Sequence, residues 1–241
     1  MNSVLEEQLR RELEDQGIFC DACQASLLIR HLMLVIDKNR SMNLTRITDP
    51  ADAVTLHVVD SLLSLACSGV SLSVGDSFVD MGTGGGFPGI CLGIMTGARG
   101  LLVDSVGKKV LAVREFIDEL GLHDLSATKM RLEELPLMAY EPQDYVVARA
   151  VAQSNILIEY AAPLLKNQGI LILEKARPTV DEFNHADKAA QICGMSLVSR
   201  ETFELRDALG HREIILYRKT RPSRITLPRK VGVAKQKPLG E

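Results

Sequence analysis

The chain has 241 residues, of which 46% are hydrophobic and 24% are charged, and its net charge is −3. This length suits one α/β domain with an appended segment, and the hydrophobic content is enough for a packed core. No apolar run approaches the roughly 20 residues of a membrane span, and the charged N-terminus lacks a signal-peptide pattern. We therefore expect a cytoplasmic protein with no membrane segment.

Five cysteines are too few and too scattered to indicate a disulfide framework. Cys20 and Cys23 have the C-x-x-C spacing of a zinc or redox site. No second cysteine pair or histidine follows at metal-ligand spacing, so we interpret them as two thiols near the start of a helix. The sequence predicts no metal site.

The first 70 residues are predicted to form helices that pack on the following domain. Apolar residues recur at helical spacing from residue 27 to 36, and polar residues 38–41 end that run. Asp49 is a good N-cap and Pro50 suits a first helical turn, so a further helix should begin there. We expect it to end at Ser68 and Gly69.

From residue 77 onward, short apolar runs alternate with amphipathic segments. Such alternation predicts βαβ units on a parallel sheet, and we assign residues 71–219 to this Rossmann-like core. In chain order the predicted elements are strand 77–81, helix 88–96, strand 101–104, helix 108–120, strands 125–128 and 145–148, helix 154–166 with a bend at Pro163, strand 170–173 after a stop at Gly169, a helix after Pro178, and strands 196–205 and 213–218.

The last two predicted strands are joined by a short loop at residues 207–212 and resemble an antiparallel hairpin. A parallel sheet that ends in such a hairpin is the order of class I methyltransferases. A dehydrogenase normally continues with parallel strands or adds a substrate domain. The predicted fold is therefore α/β, a mostly parallel seven-stranded sheet with an antiparallel last strand, preceded by helices.

A glycine-rich turn follows the first predicted strand, with the sequence Gly82-Thr83-Gly84-Gly85-Gly86 and then Phe87-Pro88-Gly89. Glycines such as Gly82 and Gly84 let the backbone turn sharply and approach a ligand closely. Residues 84–89 also satisfy the G-x-G-x-x-G pattern formally, so a nicotinamide-dinucleotide oxidoreductase is one alternative. The turn predicts a nucleotide site at this edge of the sheet.

Two acidic residues near the turn help to separate the candidate cofactors. Asp104 ends the second strand about 20 residues beyond the turn, where a carboxylate accepts hydrogen bonds from both ribose hydroxyls of either cofactor. Asp80 stands just before the first glycine, and a carboxylate there suits the amino and sulfonium groups of S-adenosylmethionine but would repel a pyrophosphate. The local pattern therefore favours S-adenosylmethionine.

Later loops should return charged residues to the same edge. Glu133 and Glu134 follow the third strand, where an adenine usually lies, although they could equally be a solvated pair on a helical turn. Arg149 closes the fourth strand, and an arginine there needs a partner or water. A functional role for Arg149 is the interpretation we favour.

The C-terminal residues 220–241 are predicted to be a flexible basic tail. From residue 218 to the end, eight lysine and arginine residues face one acidic residue, a charge of +7, so residues 1–217 carry −10 of the total of −3. A basic tail on an acidic body suggests a polyanionic partner such as nucleic acid, the alternative being a solvated terminus.

Five sequence blocks together resemble one family, the bacterial small-subunit ribosomal RNA guanine-N7 methyltransferases, also called glucose-inhibited division protein B. The blocks stand in the family's order and spacing and cover nearly the whole chain. They are Asn43-Leu44-Thr45, residues 57–61, residues 80–89, residues 104–109, and Arg149-Ala150.

The resemblance implies methylation of N7 of a guanine in the 530 loop of 16S ribosomal RNA. The RNA partner would be 16S RNA or an assembling small subunit, and nothing suggests an obligate dimer. Implied S-adenosylmethionine contacts are Gly82, Phe87, Leu132, Glu133 and Arg149, with Asp104 and Ser105 near the ribose. Implied RNA contacts in the tail are Arg221, Arg224, Arg229, Lys230, Lys235 and Lys237.

Guanine N7 carries a free lone pair, so its methylation requires no general base, and positioning should dominate catalysis. We predict that Arg149 and Lys175 lie near the guanine or its phosphate. His57 and Asp60, on one helical face, either hold their helix against the cofactor loop or face the substrate.

The chain departs from the family at three places, where RNA contacts could be lost. Leu56 replaces an arginine, Glu174-Lys175-Ala176 replaces Leu-Lys-Gly, and Arg212-Glu213 replaces Arg-His. These departures bear on the substrate more than on cofactor binding. A separate alternative is an RNA-binding protein that keeps the methyltransferase fold without catalysis.

Overall fold

The computed structural model describes residues 2–138 and 141–241. The strands are β1 (Ser77–Met81), β2 (Arg99–Asp104), β3 (Leu125–Lys129), β4 (Gln143–Arg149), β5 (Leu165–Lys175), β6 (Met195–Leu205) and β7 (Gly210–Lys219). The helices are α1 (Asn2–Asp15), α2 (Ala22–Asn39), α3 (Pro50–Ala53), α4 (Asp60–Leu62), α5 (Gly89–Thr96), α6 (Gly107–Leu120), α7 (Ser154–Ala161), α8 (Val180–Cys193) and α9 (Val233–Gln236).

One sheet of seven strands has the order β3-β2-β1-β4-β5-β7-β6. The pairs among β1 to β5 are parallel, whereas β7 runs antiparallel to both β5 and β6. The short β6–β7 connection forces this reversal, because parallel neighbours need a long crossover. The predicted fold, with its C-terminal hairpin, is confirmed.

The connection between α7 and β5 differs from the prediction of a helix over residues 154–166. The helix ends at Ala161, because Pro163 lacks the backbone N–H that would continue it. The strand β5 begins two residues after Pro163, where Leu165 pairs with Gln143. Gly169 lies inside β5, where a Cβ would sit only 3.0 Å from the carbonyl oxygens of Gln143 and Asp144. It allows a close strand approach instead of stopping a helix.

The helix predicted from Pro50 is a chain of short helical pieces. Asp49 caps α3 through the backbone N–H of Asp52, as the sequence predicted. A π-helical turn over Val54–Val59 follows, then α4 and a 3₁₀ turn over Leu63–Ala66. π turns inside helices often mark functional sites. This one contains His57 and ends just before Asp60, the first residue of α4.

The N-terminal helices belong to the same hydrophobic core as one face of the sheet. Leu9 and Leu13 of α1 and Leu28 of α2 are fully buried in a cluster that also contains Phe78 of β1. An Asp21–Gln24 capping box, which we had not predicted, fixes the start of α2. Cys20 beside it is buried and Cys23 is exposed.

The opposite face of the sheet is covered by α7, α8 and, unexpectedly, the C-terminal residues. We define residues 227–239 as the C-terminal strap. Ala234 is buried there, and Leu227 and Leu239 pack against the cluster that holds α7 and α8. The structure thus differs from the predicted flexible tail. The apolar residues between the cations pack against the hydrophobic cluster and hold the segment on the domain.

Within the described ranges, no helix is long and apolar enough to cross a membrane. The same part of the chain contains no cluster of three or more His, Cys, Asp or Glu side chains arranged to hold a metal ion.

Candidate active site

Two cavities meet at the carboxyl edge of the parallel strands, and Ala150 lines both of them. The first, about 340 Å³, is called the glycine-loop cavity, and its lining includes Gly82, Asp104, Ser105, Leu132, Glu133 and Lys235. The second, about 460 Å³, is called the arginine cavity, and its lining includes His57, Asp60, Arg149, Lys175, Arg177 and Arg212. Most of the predicted site residues thus lie in two adjoining cavities, some in each.

The glycine-rich turn is held by backbone bonds to β2. The N–H groups of Gly82 and Thr83 donate to the carbonyl oxygen of Val103 at 2.8 and 3.0 Å. Gly82 has φ of 80°, and a Cβ there would lie 2.7 Å from Cγ2 of Val151 across the cavity. Only glycine combines this backbone conformation with this close approach.

Asp104 joins the turn to the start of α6. Its Oδ2 accepts the N–H of Gly84 at 3.1 Å, and its Oδ1 accepts the N–H of Val106 at 2.8 Å. These bonds fix the carboxylate at the cavity wall next to Ser105. Since each carboxylate oxygen has a second lone pair, Asp104 can still accept a bond from a ligand hydroxyl. Gly84 itself supports Asp104 and does not line the cavity.

Asp80 lines neither cavity, which differs from the ligand-facing position predicted for it. The side chain is wholly buried, and Oδ2 accepts the N–H of Gly89 at the start of α5 at 2.9 Å. Burial raises the pKa of Asp80 to about 6, although the Thr83 hydroxyl and the Gly89 amide oppose the shift. Asp80 anchors the first turn of α5 beneath the glycine loop, because a short carboxylate reaches that amide before it reaches the cavity.

Glu133 is held at the far wall of the glycine-loop cavity by two donors. Its Oε1 accepts the Tyr160 hydroxyl at 3.1 Å and the N–H of Gly232 at 3.0 Å. Burial opposes ionisation, but these hydrogen bonds outweigh it and lower the pKa of Glu133. Glu134, by contrast, is exposed and accepts only a long bond from the N–H of Arg131. Of the two acids, only Glu133 belongs to the cavity.

In the arginine cavity, Asp60 is bonded to two arginines. Nη1 of Arg149 lies 3.1 Å from Oδ2 of Asp60, and Nε of Arg212 lies 2.7 Å from Oδ1. Arg149 also donates to the carbonyl oxygens of Leu56 and His57 at 3.3 and 3.4 Å. Both guanidinium groups are therefore fixed in direction, and neither depends on a bound ligand for a partner.

Phe87, for which a contact with S-adenosylmethionine was predicted, lies beneath this arrangement and lines neither cavity. His57 stacks on its ring with centroids 4.9 Å apart, and the guanidinium carbon of Arg149 lies 5.6 Å from the ring centroid. His31 contacts the ring from another side at 4.5 Å. Phe87 is buried because these three side chains surround it, and its ring supports His57 and Arg149 from below.

The two histidines around Phe87 are uncharged near neutral pH. Burial lowers the pKa of both His31 and His57 to about 4. Nε2 of His31 lies 3.0 Å from the carbonyl oxygen of Gly85, and Nε2 of His57 lies 2.7 Å from Oγ1 of Thr45. His57 therefore bonds the Asn43–Thr45 segment and stacks on Phe87 of the glycine-rich turn, and it also lines the arginine cavity. Both of its predicted alternatives, support of the cofactor loop and contact with the substrate, stay predictions.

Lys175, predicted to lie near the substrate, lines the arginine cavity but is already paired. Its Nζ lies 2.7 Å from Oε1 of Glu182 and donates to the carbonyl oxygen of Ala152 at 2.8 Å. Glu174 is buried beside it, accepts the Ser64 hydroxyl, and has a pKa raised well above its ordinary value by burial.

The three departures from the family all fall at or near this cavity. Leu56 and Ala176 line it, whereas Glu213 turns away and pairs with Arg200 and His211.

The predicted RNA contacts in the tail fall into different environments. Arg229 forms a bidentate pair with the buried carboxylate of Glu159, and Lys235 lines the glycine-loop cavity. The side chains of the remaining four are exposed: Arg221, Arg224, Lys230 and Lys237.

Several residues of the site were not predicted from the sequence. His31, Tyr160, Gly232 and Glu182 carry no local motif, since each acts on a residue that is distant along the chain. Arg212 was noted only as part of a departure, and its pairing with Asp60 spans 152 positions. The need of a buried Asp60 for a positive partner is a signal that could have pointed to Arg212. The sequence contains many arginines and lysines, however, and does not single out this one.

Comparisons with known proteins identify the family to which the sequence is similar. Residues 24–213 match the family model described as rRNA small subunit methyltransferase G. Relatives named "Ribosomal RNA small subunit methyltransferase G" include one from Carboxydothermus hydrogenoformans, 32% identical over 98% of this chain and all of its own length. One from Gloeobacter violaceus is 36% identical over 94% of this chain and 91% of its own.

Solved structures share the fold at low sequence identity. A precorrin-6y C5,15-methyltransferase from Geobacter metallireducens covers 74% of this chain and 92% of its own, with a TM-score of 0.52 at 15% identity. Aeropyrum pernix fibrillarin, solved with natively bound S-adenosyl-L-methionine, covers 66% of this chain and 73% of its own, with a TM-score of 0.54 at 13% identity. The sequence matches go further than the fold: this chain belongs to the rRNA small subunit methyltransferase G family.

Proposed function

We propose that this protein transfers a methyl group from S-adenosylmethionine to N7 of a guanine in the 530 loop of 16S ribosomal RNA. The observation that carries the proposal is the pair of cavities that meet at Ala150, one suited to an adenosyl cofactor and one lined by arginines. Methyl transfer needs two ligands whose reacting atoms are in contact. Adjoining cavities with different linings provide that arrangement.

The glycine-loop cavity fits the cofactor in size and chemistry. Its volume of about 340 Å³ lies within the usual range for small-molecule sites, ~300 to 1,000 Å³. Asp104 offers carboxylate oxygens at the position expected for a ribose, and Glu133 offers another acceptor at the far wall. Gly82 leaves room where any side chain would meet Val151. Bound there, the cofactor would supply an electrophilic methyl group on a sulfonium.

Guanine N7 needs no deprotonation, and the residues of the arginine cavity are consistent with that. His57 has a pKa of about 4 and is occupied by Thr45, so it is not poised as a base near neutral pH. The chain's own task is to hold the guanine, exclude water and tolerate the positive ring of the product.

The arginine cavity supplies four cations for an RNA segment: Arg149, Lys175, Arg177 and Arg212. Asp60 orients two of them, and Glu182 orients Lys175. We infer that these groups contact phosphates or the carbonyl edge of the base, the contacts that arginine and lysine make most readily in RNA complexes. The exposed cations Arg221, Arg224, Lys230 and Lys237 would add phosphate contacts outside the cavity.

A transfer assay tests the proposal directly. The purified protein is incubated with radiolabelled S-adenosylmethionine and either naked 16S RNA or small subunits, both lacking the modification. We expect label in the RNA, with nuclease digestion and mass spectrometry locating it as 7-methylguanosine in the 530 loop. The comparison of naked RNA with small subunits also decides which of them is the substrate.

Two results would count against the proposal. Label in another nucleotide or another ring position would refute the N7 assignment and leave the methyltransferase family intact. RNA binding with no cofactor binding would favour the non-catalytic alternative. A matched pair of variants, Arg212→Gln and the exposed control Arg11→Gln in α1, should show slower transfer only for the first.

A further inference from the structure

We propose that the C-terminal strap, residues 227–239, is a structural part of the cofactor site and sets the affinity for S-adenosylmethionine. Its sequence suggested only an RNA-contacting tail, and the family model ends at residue 213, before the strap begins. The inference rests on the placement of the cofactor in the glycine-loop cavity, but not on guanine N7 as the target.

The strap is anchored along its length. Near its start, Nε and Nη2 of Arg229 bond Oε1 and Oε2 of Glu159 in α7 at 2.7 and 2.5 Å, and Glu159 has only 3% of its side chain exposed. At its end, Nδ2 of Asn155 donates to the carbonyl oxygen of Leu239 at 2.9 Å. Ala234 is buried between these points. A bidentate pair with a desolvated carboxylate is a strong and directional attachment.

Between its anchors, the strap reaches the cavity. The N–H of Gly232 donates to Oε1 of Glu133 at 3.0 Å, and Gly232 and Lys235 both line the cavity wall. Gly232 has φ of 85°, a left-handed conformation that points its N–H at the carboxylate. The strap thus fixes the orientation of the acid that we assign to the cofactor.

The strap contacts assign new roles to two tail cations that were predicted to bind RNA. Arg229 is a positioning residue for the strap. Its Nε and Nη2 groups already donate to Glu159, so few of its N–H groups remain for an RNA phosphate. Lys235 stands at the cavity rim, where its ammonium group can reach a bound cofactor. The exposed residue Arg224 lies outside the strap, and its backbone N–H donates to the carbonyl oxygen of Ile192.

Hydrogen exchange of the unmodified protein is the first test. Backbone amides are followed by mass spectrometry with and without saturating S-adenosylmethionine, in the absence of RNA. We expect slower exchange in residues 229–236 as well as in the glycine loop at 82–86, and unchanged exchange in residues 220–225. Protection of the glycine loop alone would overturn the inference and leave the proposed function standing. Protection of neither segment would overturn both.

A variant pair gives an independent readout through the dissociation constant of S-adenosylmethionine, measured by calorimetry without RNA. The double variant Glu159→Gln, Arg229→Gln loosens the anchor without leaving a lone buried charge. Arg224→Gln is the control, since it removes one tail charge outside the strap. We expect the double variant to raise the dissociation constant about tenfold, the scale of one lost bond to a charged group, and the control to leave it within about twofold.

The RNA-contact alternative predicts a different pattern: both variants would keep the cofactor affinity of the wild type and would bind 16S RNA more weakly. That result would overturn the inference. The thermal unfolding midpoint of each variant is measured as well. If the double variant proves unfolded, Lys235→Ala at the rim replaces it in the same titration, and an unchanged dissociation constant there would again overturn the inference.

Discussion

The two cavities that meet at Ala150 are built by different physical means. The glycine-loop cavity is held together by backbone hydrogen bonds: Gly82 bonds β2, and the carboxylates of Asp104 and Glu133 accept the N–H groups of Gly84 and Gly232. The arginine cavity is formed by ion pairs, above all Asp60 with Arg149 and Arg212.

The difference shows how one sheet edge can serve two ligands of opposite requirements. The proposed cofactor site relies on fixed backbone geometry and buried carboxylates, which salt screens less than it screens exposed charges. A polyanion is bound by oriented cations, and orientation costs less when the cations already have a partner that holds them. We therefore expect the two cavities to respond differently to substitution, acid and salt.

The largest effect is expected when the central acid of the arginine cavity is removed. Asp60→Ala leaves Arg149 and Arg212 unpaired, with only 14% and 16% of their side chains exposed. Breaking such a pair should lower the free energy of unfolding by about 3 kcal/mol in a urea titration. The control Asp37→Ala breaks an exposed pair with Arg40 and should change it by less than about 1 kcal/mol.

The same variant separates the two cavities. If they are built independently, Asp60→Ala slows methyl transfer to RNA but keeps the dissociation constant of S-adenosylmethionine within about twofold. A large loss of cofactor affinity would show that the ion pairs also hold the glycine loop, and would contradict the comparison.

Acid should act on the glycine-loop side through His31. Burial lowers its pKa from 6.5 to about 4, so below pH 6.5 the unfolded chain takes up a proton that the folded chain does not. Stability from this group is therefore complete above pH 6.5 and is lost as the pH falls towards 4, a change on the order of 3 kcal/mol. Asp80 acts in the opposite sense between pH 6 and 3.8, because its pKa is raised to about 6.

The test is the pH dependence of the free energy of unfolding in His31→Gln, whose amide can still donate to Gly85. We expect this variant to lose less stability than the wild type between pH 6.5 and 4.5. His123→Gln changes an exposed histidine and serves as the control. Parallel pH profiles for all three proteins would contradict a buried neutral His31.

A smaller effect is expected from one methyl group in the glycine loop. Gly82→Ala places a Cβ 2.7 Å from Cγ2 of Val151 at a φ of 80°, whereas Gly75→Ala meets nothing within 4 Å at a φ of 98°. Both variants carry backbone strain, but only the first narrows the cavity. We expect calorimetry to show an affinity for S-adenosylmethionine lower by about tenfold, or ~1.4 kcal/mol, for Gly82→Ala alone.

The smallest effect is expected in the exposed tail. Lys237→Ala removes a cation that we assign to RNA and that lies at the surface. Its RNA affinity should fall only a few-fold, and the slope of log affinity against log salt should become shallower by about 0.7 for one lost phosphate contact. An unchanged slope would show that Lys237 contacts no phosphate.

Much of the fold could be predicted from the sequence because its signals are local. The alternation of apolar runs and amphipathic segments predicted all seven strands, and the short 207–212 loop predicted the hairpin. The predictions were wrong where a residue that is typical of one local structure is needed for a contact between distant segments. Gly169 suggested a helix stop, but the approach of two carbonyl oxygens from β4 requires glycine there.

The site, like the fold, could be predicted where the signal is local along the chain. Gly82, Asp104 and Ser105 follow strand ends, and the topology brings strand ends together, so their place at one cavity could be expected. Asp80 and Phe87 belong to the same motif, but both side chains are buried and line neither cavity. The motif alone does not say which of its side chains pack inward and which face the cavity.

By itself, the sequence determined the class of fold, the glycine-loop site and the family to which the chain belongs, since these depend on motifs in which neighbours along the chain act together. Only the tertiary structure decided that Asp60 holds two arginines, that Glu133 is bonded by Tyr160 and Gly232, and that the basic tail packs as a strap. Those contacts join residues from 27 to 152 positions apart. Their energy comes from burial and charge pairing, which exist only once the chain has folded.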